Sequence, residues 1–206
     1  MKKLLLALSL VSLVGLPAFA GPITISNPSF EDPTGSGTFD TLTAITSIPG
    51  WTVQAGSIDH ITNYWPAADG IRSIDMNGLA PGTLLQQIAI PQAGTMTLEF
   101  AMAGNPDGVP AVKTLEVSLL GDGVPQVFTF DASGASRSNM HWIDQTANFV
   151  IPSAGNYTLQ FRSLSNGAYG AALDNVRASI PDGGATAMLI GVGLLAMVGL
   201  RRKLHV

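Results

Sequence analysis

The feature that most constrains this chain is a period of two that returns along its length. In "TMTLEFAM", Met96, Leu98, Phe100 and Met102 point one way, while Thr95, Thr97 and Glu99 point the other. In "KTLEVSLL", Leu115, Val117 and Leu119 alternate with Thr114, Glu116 and Ser118. In "NYTLQFRS", Tyr157, Leu159 and Phe161 alternate with Thr158, Gln160 and Arg162. Successive strand side chains face opposite sides of a sheet, so each segment has one buried and one wet face, as in an antiparallel sheet. Turn chemistry separates the segments at Pro49-Gly50, Pro81-Gly82, Asn105-Pro106-Asp107-Gly108, Gly121-Asp122-Gly123 and Ala154-Gly155-Asn156. Roughly ten short strands at this spacing predict an all-β fold, an antiparallel β-sandwich or jelly roll. A short helical turn is expected near "YWPAADG".

The two ends obey different rules. Residues 1–20 read as a signal peptide: Lys2 and Lys3, an apolar stretch, then Ala18-Phe19-Ala20, with cleavage expected after Ala20. Residues 181–206 begin with Pro181-Asp182-Gly183-Gly184, continue through an apolar run over 185–200, and end near Arg201, Arg202 and Lys203. That run is about 16 residues, where a comfortable membrane span needs about 20. It has no polar face, and Gly191, Gly193 and Gly199 would weaken a soluble helix. It is therefore expected to be a transmembrane helix, with the basic cluster kept cytoplasmic. The domain between is expected to occupy residues 21–180, exported from a bacterium of the Gram-negative type.

Charge narrows the partners. Five of the ten basic residues lie in the two ends, which leaves Arg72, Lys113, Arg137, Arg162 and Arg177 against thirteen acids in residues 21–180. Such a body does not suit nucleic acid, whose phosphates need Lys and Arg. Neutral partners, cationic partners and divalent metals remain. Without cysteine there is no disulfide, thiol nucleophile or thiolate metal site.

The residues make a weak case for catalysis, and no catalytic residue is assigned. His60 and His141 each have an aspartate nearby (Asp59 and Asp144), but the chain has no G-x-S-x-G elbow, H-E-x-x-H or phosphate-binding loop. Glu99 and Glu116 fall on outward strand positions. Oxygen ligands are better represented: Asn27, Glu31 and Asp32 near the start of the domain and Asp174 near its end could converge on a structural Ca²⁺ if the first and last strands are neighbours. Among the aromatics, Trp51 reads as core. Tyr64, Trp65 and Trp142 are candidates to stack on a sugar ring, with Asp69 and Arg72 taking hydroxyls.

The segments "NPSFEDP", "IPGW", "GSIDHI", "YWPAADGIRSIDMNG", "MAGNPDG", "FDASGASRSNMHW" and "ALDNV" together resemble the bacterial choice-of-anchor C domain, which is related to the plant DUF642 proteins. The resemblance implies a galactose-binding-like jelly roll of the type used by carbohydrate-binding modules, with calcium near Glu31 and Asp174. The tail resembles a PEP-CTERM-type sorting signal of the VPD variety. It implies an exosortase as processing partner, after signal peptidase, and an inner-membrane-tethered intermediate that ends at the cell surface or in the extracellular matrix. The function so implied is non-catalytic binding of exopolysaccharide or cell-wall glycan. A structural matrix protein making protein–protein contacts is the alternative, and a hydrolase is the third reading.

Overall fold

The computed structural model describes residues 23–33 and 37–180. The expected signal peptide, transmembrane helix and sorting motif (Ala20, Pro181, Asp182, Gly183, Gly184, Arg201 and Arg202 among them) lie outside the described residues.

The described residues form twelve strands in chain order: β1 (Phe39–Thr43), β2 (Ser47–Ile48), β3 (Trp51–Ala55), β4 (Ser57–Ile61), β5 (Ser73–Asp75), β6 (Thr83–Ile90), β7 (Gly94–Gly104), β8 (Val112–Leu120), β9 (Asp122–Asp131), β10 (Ile143–Ile151), β11 (Gly155–Ser163) and β12 (Ala171–Ser179). They form two six-stranded sheets, one in the order β1-β4-β5-β12-β7-β10 and the other β2-β3-β6-β11-β8-β9. All the strand pairs are antiparallel, and the chain crosses from sheet to sheet at β1–β2, β3–β4, β5–β6, β6–β7, β7–β8, β9–β10, β10–β11 and β11–β12. The expected antiparallel β-sandwich is the fold.

The alternating segments supply the core. Met96, Leu98, Phe100 and Met102 of β7 face Leu115 and Val117 of β8 and Leu159 and Phe161 of β11, all essentially buried. Phe100 meets Phe161 edge-on at 5.4 Å, and Trp51 lies 5.9 Å from Phe161 and 5.3 Å from Phe30. Trp51 is core, as its alternation with Val53 implies, and its indole N–H donates to the Asn27 carbonyl. Glu99 is exposed, and Glu116 makes a two-point pair with Arg162 from the neighbouring strand.

The first and last segments are neighbours: Ile23 bridges to Ala178, and Val176 N–H donates to the Pro28 carbonyl. The helical turn expected near "YWPAADG" is absent. Residues 63–72 form an irregular loop, because its backbone N–H groups are taken by side-chain carboxylates from elsewhere in the fold. The one short 3₁₀ turn among the described residues is Ala132–Gly134, capped by the Asp131 carboxylate.

Candidate functional site

Register decides which side chains share a face. Phe39 of β1 sits opposite Ile61 of β4, which sits opposite Ser73 of β5. Thr41, Asp59 and Asp75 form the next row but one along the same three strands. The other face of these strands carries Ile58, His60 and Ile74, which join the core. The Phe39–Thr41–Asp59–Asp75 set therefore lies on the outer face of its sheet. Loops rise around it, and the result is an open cavity of about 270 Å³ whose lining includes Phe39, Asp59, Tyr64, Asp75, Asp107 and Tyr169.

One wall is aromatic. Phe39 meets Tyr64 edge-on at 5.3 Å, and Tyr64 lies 5.5 Å from Trp65. The Tyr169 ring, also in the lining, lies close against Gly108, where any side chain would collide with it. Phe39 and Tyr169 are each 39% exposed, so aromatic surface remains open to a ligand.

The floor is acidic. Asp59 accepts a 2.6 Å hydrogen bond from the Thr41 hydroxyl, and partial burial raises its pKa. Asp75 is sealed beneath, accepting from the N–H groups of Asn77 and Gly170 and from the Asn105 amide. Burial dominates these bonds and pushes its pKa up to about 7. Beside it the Asn77 side-chain carbonyl is buried without a donor, and both oxygens border Gly170. Asp107 binds Tyr64 Oη at 2.8 Å and Arg137 Nε at 2.7 Å, while the Arg137 guanidinium lies 4.3 Å from the Tyr64 ring centroid.

Lys113 underpins the cavity from inside. It is fully buried, and its ammonium donates to the carbonyls of Gly108 at 2.8 Å and Tyr169 at 2.9 Å. Burial lowers its pKa, and the charges of Asp75 and Asp107 oppose that shift. It ties together the two loops that carry the Asp107 and Tyr169 sides of the site.

The five residues expected to bind sugar separate. Tyr64 and Trp65 line the cavity. Trp65 is only 3% exposed, and its indole N–H is fixed on the Ser73 hydroxyl at 2.9 Å. Trp65→Ala is expected to cost about 3–5 kcal/mol in denaturant unfolding, the range for removing a buried Trp; a loss under about 1 kcal/mol would contradict this packing role. Trp142, Asp69 and Arg72 do not line the cavity. The Trp142 indole donates to the Pro66 carbonyl, Asp69 accepts from the Ser29 hydroxyl, and buried Arg72 reaches Thr62. All three hold the 63–72 loop in place.

Of the four residues expected around calcium, Glu31 and Asp174 reach the 63–72 loop, while Asn27 and Asp32 bond to each other and Asn27 also to the Pro49 carbonyl. Glu31 accepts from the N–H groups of Ile71 and Arg72. Gly70, at φ +71°, leaves room for that carboxylate. Asp174 takes the N–H groups of Ala68 and Asp69 on one oxygen and of Asn175 on the other. Asn27 closes a local loop with the Asp32 backbone, and Asp32 itself is exposed. Among the described residues no group of three or more His, Asp or Glu side chains is placed to hold a metal ion. The Glu31 and Asp174 carboxylates cap backbone N–H groups of the 63–72 loop and of Asn175. A Ca²⁺ ion held by the folded state would raise the melting midpoint over that in chelator, and one midpoint in both would count against the site.

His60 points into the core, where its Nε2 lies 2.7 Å from the Phe30 carbonyl and burial lowers its pKa. His141 is exposed at φ 53°. Neither lines the cavity. Asp59 and Asp75 are paired carboxylates, but Asp75 is closed off from a substrate by its three donors.

The model of the family described as "Protein of unknown function (DUF642)" matches residues 23–179, well over half of the chain. The chain belongs to the DUF642 family. The match spans both sheets of this DUF642 domain and every residue of its cavity. The domain is also similar to halomucin of Haloquadratum walsbyi (strain DSM 16790 / HBSQ001), 29% identical over 181 residues; the alignment covers 84% of this chain and 2% of that protein. Solved structures of similar fold include Xyl-CBM35 in complex with a glucuronic acid containing disaccharide (16% identity, TM-score 0.47, 68% of this chain and 91% of that one). CBM35 from Paenibacillus barcinonensis is 20% identical with a TM-score of 0.46, over 69% of this chain and 99% of that one. TmCBM61 in complex with beta-1,4-galactotriose is 14% identical with a TM-score of 0.45, over 75% and 96%.

Proposed function

We propose that this protein is an exported, non-catalytic glycan-binding protein of the cell surface or extracellular matrix. The observation that carries the reading is the open cavity on the outer face of the β1-β4-β5 sheet, with exposed aromatic rings above and hydrogen-bonding carboxylates below. Sugar rings present apolar C–H faces and a rim of hydroxyls, which suit that pairing. Its volume, about 270 Å³, is near the low end for ligand pockets and suits a short stretch of oligosaccharide. Glycan-array screening of the full chain tests the reading, with retention on at least one glycan class expected; retention on none would count against it.

The address is the second part of the proposal. Residues 1–20 and 181–206 would route the chain through signal peptidase and an exosortase, by way of an inner-membrane intermediate. Mass spectrometry of the mature protein is expected to show loss of both ends, and a C-terminus at Val206 would indicate a plain membrane anchor.

The buried acids set a pH dependence. Asp75 and Asp174 both have folded pKa values pushed up to about 7, chiefly by burial, against 3.8 for the ordinary group. Between about pH 4 and 7 the folded state then holds more protons than the unfolded one. Stability from these groups is full below the unfolded value and is lost as pH rises through about 7. The melting temperature is expected to fall from pH 5 to pH 8, and a rise over that interval would contradict the burial of these two groups as acids.

A further inference from the structure

We propose that the cavity selects a cationic sugar residue, a 2-amino-2-deoxyhexose with its amine free, over N-acetylated, neutral or uronic acid residues. This rests on the glycan-binding reading and specifies its ligand.

The hydrogen-bond inventory leads there. Almost every side-chain donor lining the cavity already has an acceptor: the Thr41 hydroxyl is on Asp59, the Tyr64 hydroxyl on Asp107, the Trp65 indole on Ser73 and the Asn105 amide on Asp75. The Tyr169 hydroxyl is the exception. The acceptors are in surplus. Asp59 uses one carboxylate oxygen for Thr41, and the other has no protein donor among the described residues. A ligand must therefore bring donors, and an ammonium brings three and no acceptor.

Charge points the same way. Asp59, Asp75 and Asp107 line the cavity, and among the described residues no Lys or Arg does. The two nearby cations are directed elsewhere: the Lys113 ammonium to the Gly108 and Tyr169 carbonyls, and Arg137 to the Asp107 carboxylate and the Tyr64 ring. That leaves Asp59, half-buried and in the floor, as the carboxylate without a cationic partner. Its partial burial strengthens the attraction to an incoming cation over that in bulk water. The exposed faces of Phe39 and Tyr169 add a further preference for positive charge. A uronate would instead place its carboxylate against that of Asp59, with no lining Lys or Arg among the described residues to receive it. An N-acetyl group would remove the ammonium and add a carbonyl to a site already rich in acceptors.

The experiment is calorimetric titration of the full chain with glucosamine oligosaccharides, their N-acetylated counterparts and galacturonate oligosaccharides, at low and high salt. The amine form is expected to bind at least about tenfold tighter than the N-acetylated form. That ratio should shrink as salt screens the charge. In Asp59→Asn, confirmed folded by thermal melting, it should approach unity. Equal or tighter binding of N-acetylated or uronate chains by the wild-type protein would overturn the amine preference and leave glycan binding standing. Absence of binding by all three sets, together with an empty glycan array, would overturn both.

Discussion

Lys113→Ala is expected to destabilise the domain by about 3–5 kcal/mol in denaturant unfolding, the range for removing one partner of a buried charged cluster. The reason lies in what its ammonium holds. The carbonyls of Gly108 and Tyr169 would both lose their donor, and buried Asp75 would lose a neighbouring positive charge. The stem also packs under Gly104, so alanine leaves a void as well. Lys113→Met separates the two contributions, because it keeps most of the volume and removes the donors. Its remaining deficit measures the tie between the two loops. A loss under about 1 kcal/mol in Lys113→Ala would mean that the loops hold without it.

Tyr169→Ala is expected to weaken glycan binding by about tenfold or more, with unfolding changed by less than about 0.5 kcal/mol. The two effects separate because the ring is partly exposed over the cavity and rests on the Gly108 backbone, outside the core. Trp65→Ala should behave in the opposite way, losing stability first. Comparing the two distinguishes a wall that touches the ligand from a residue that supports the wall. Unchanged binding in Tyr169→Ala would move the site elsewhere on the protein.

The sandwich was legible because strand alternation is a local property. Met96 to Met102 and Tyr157 to Phe161 announce their buried face within a few residues, and Trp51 does so through Val53. The cavity was not legible in that way. Thr41, Asp59 and Asp75 are far apart in sequence and meet only through the pairing of three strands. Asn105 and Asp107 were hidden in an Asn-Pro-Asp-Gly segment, whose residue types turns use for their own reasons. The signal that could have found Asp59 and Asp75 is the aspartate interrupting each of the apolar stretches "SIDHI" and "SIDM". Trp65 read as a candidate to stack on a sugar ring because "NYWPAADG" is polar and rich in turn formers. Nothing local says that Glu31 and Asp174 reach over from the first and last segments and draw that loop down onto the sheet. That the first and last segments could be neighbours was anticipated; that their carboxylates take a row of backbone N–H groups required the fold.

The central claim is that the outer-face cavity is where this protein meets a glycan. The most direct measurement is glycan-array binding of the full chain run in parallel with its Tyr169→Ala variant, both confirmed folded by thermal melting. Retention on a defined glycan class by the wild-type protein, and its loss in the variant, is the expected result. Equal retention by both, or no retention by the folded wild-type protein, would contradict it and favour a scaffold that works through protein contacts.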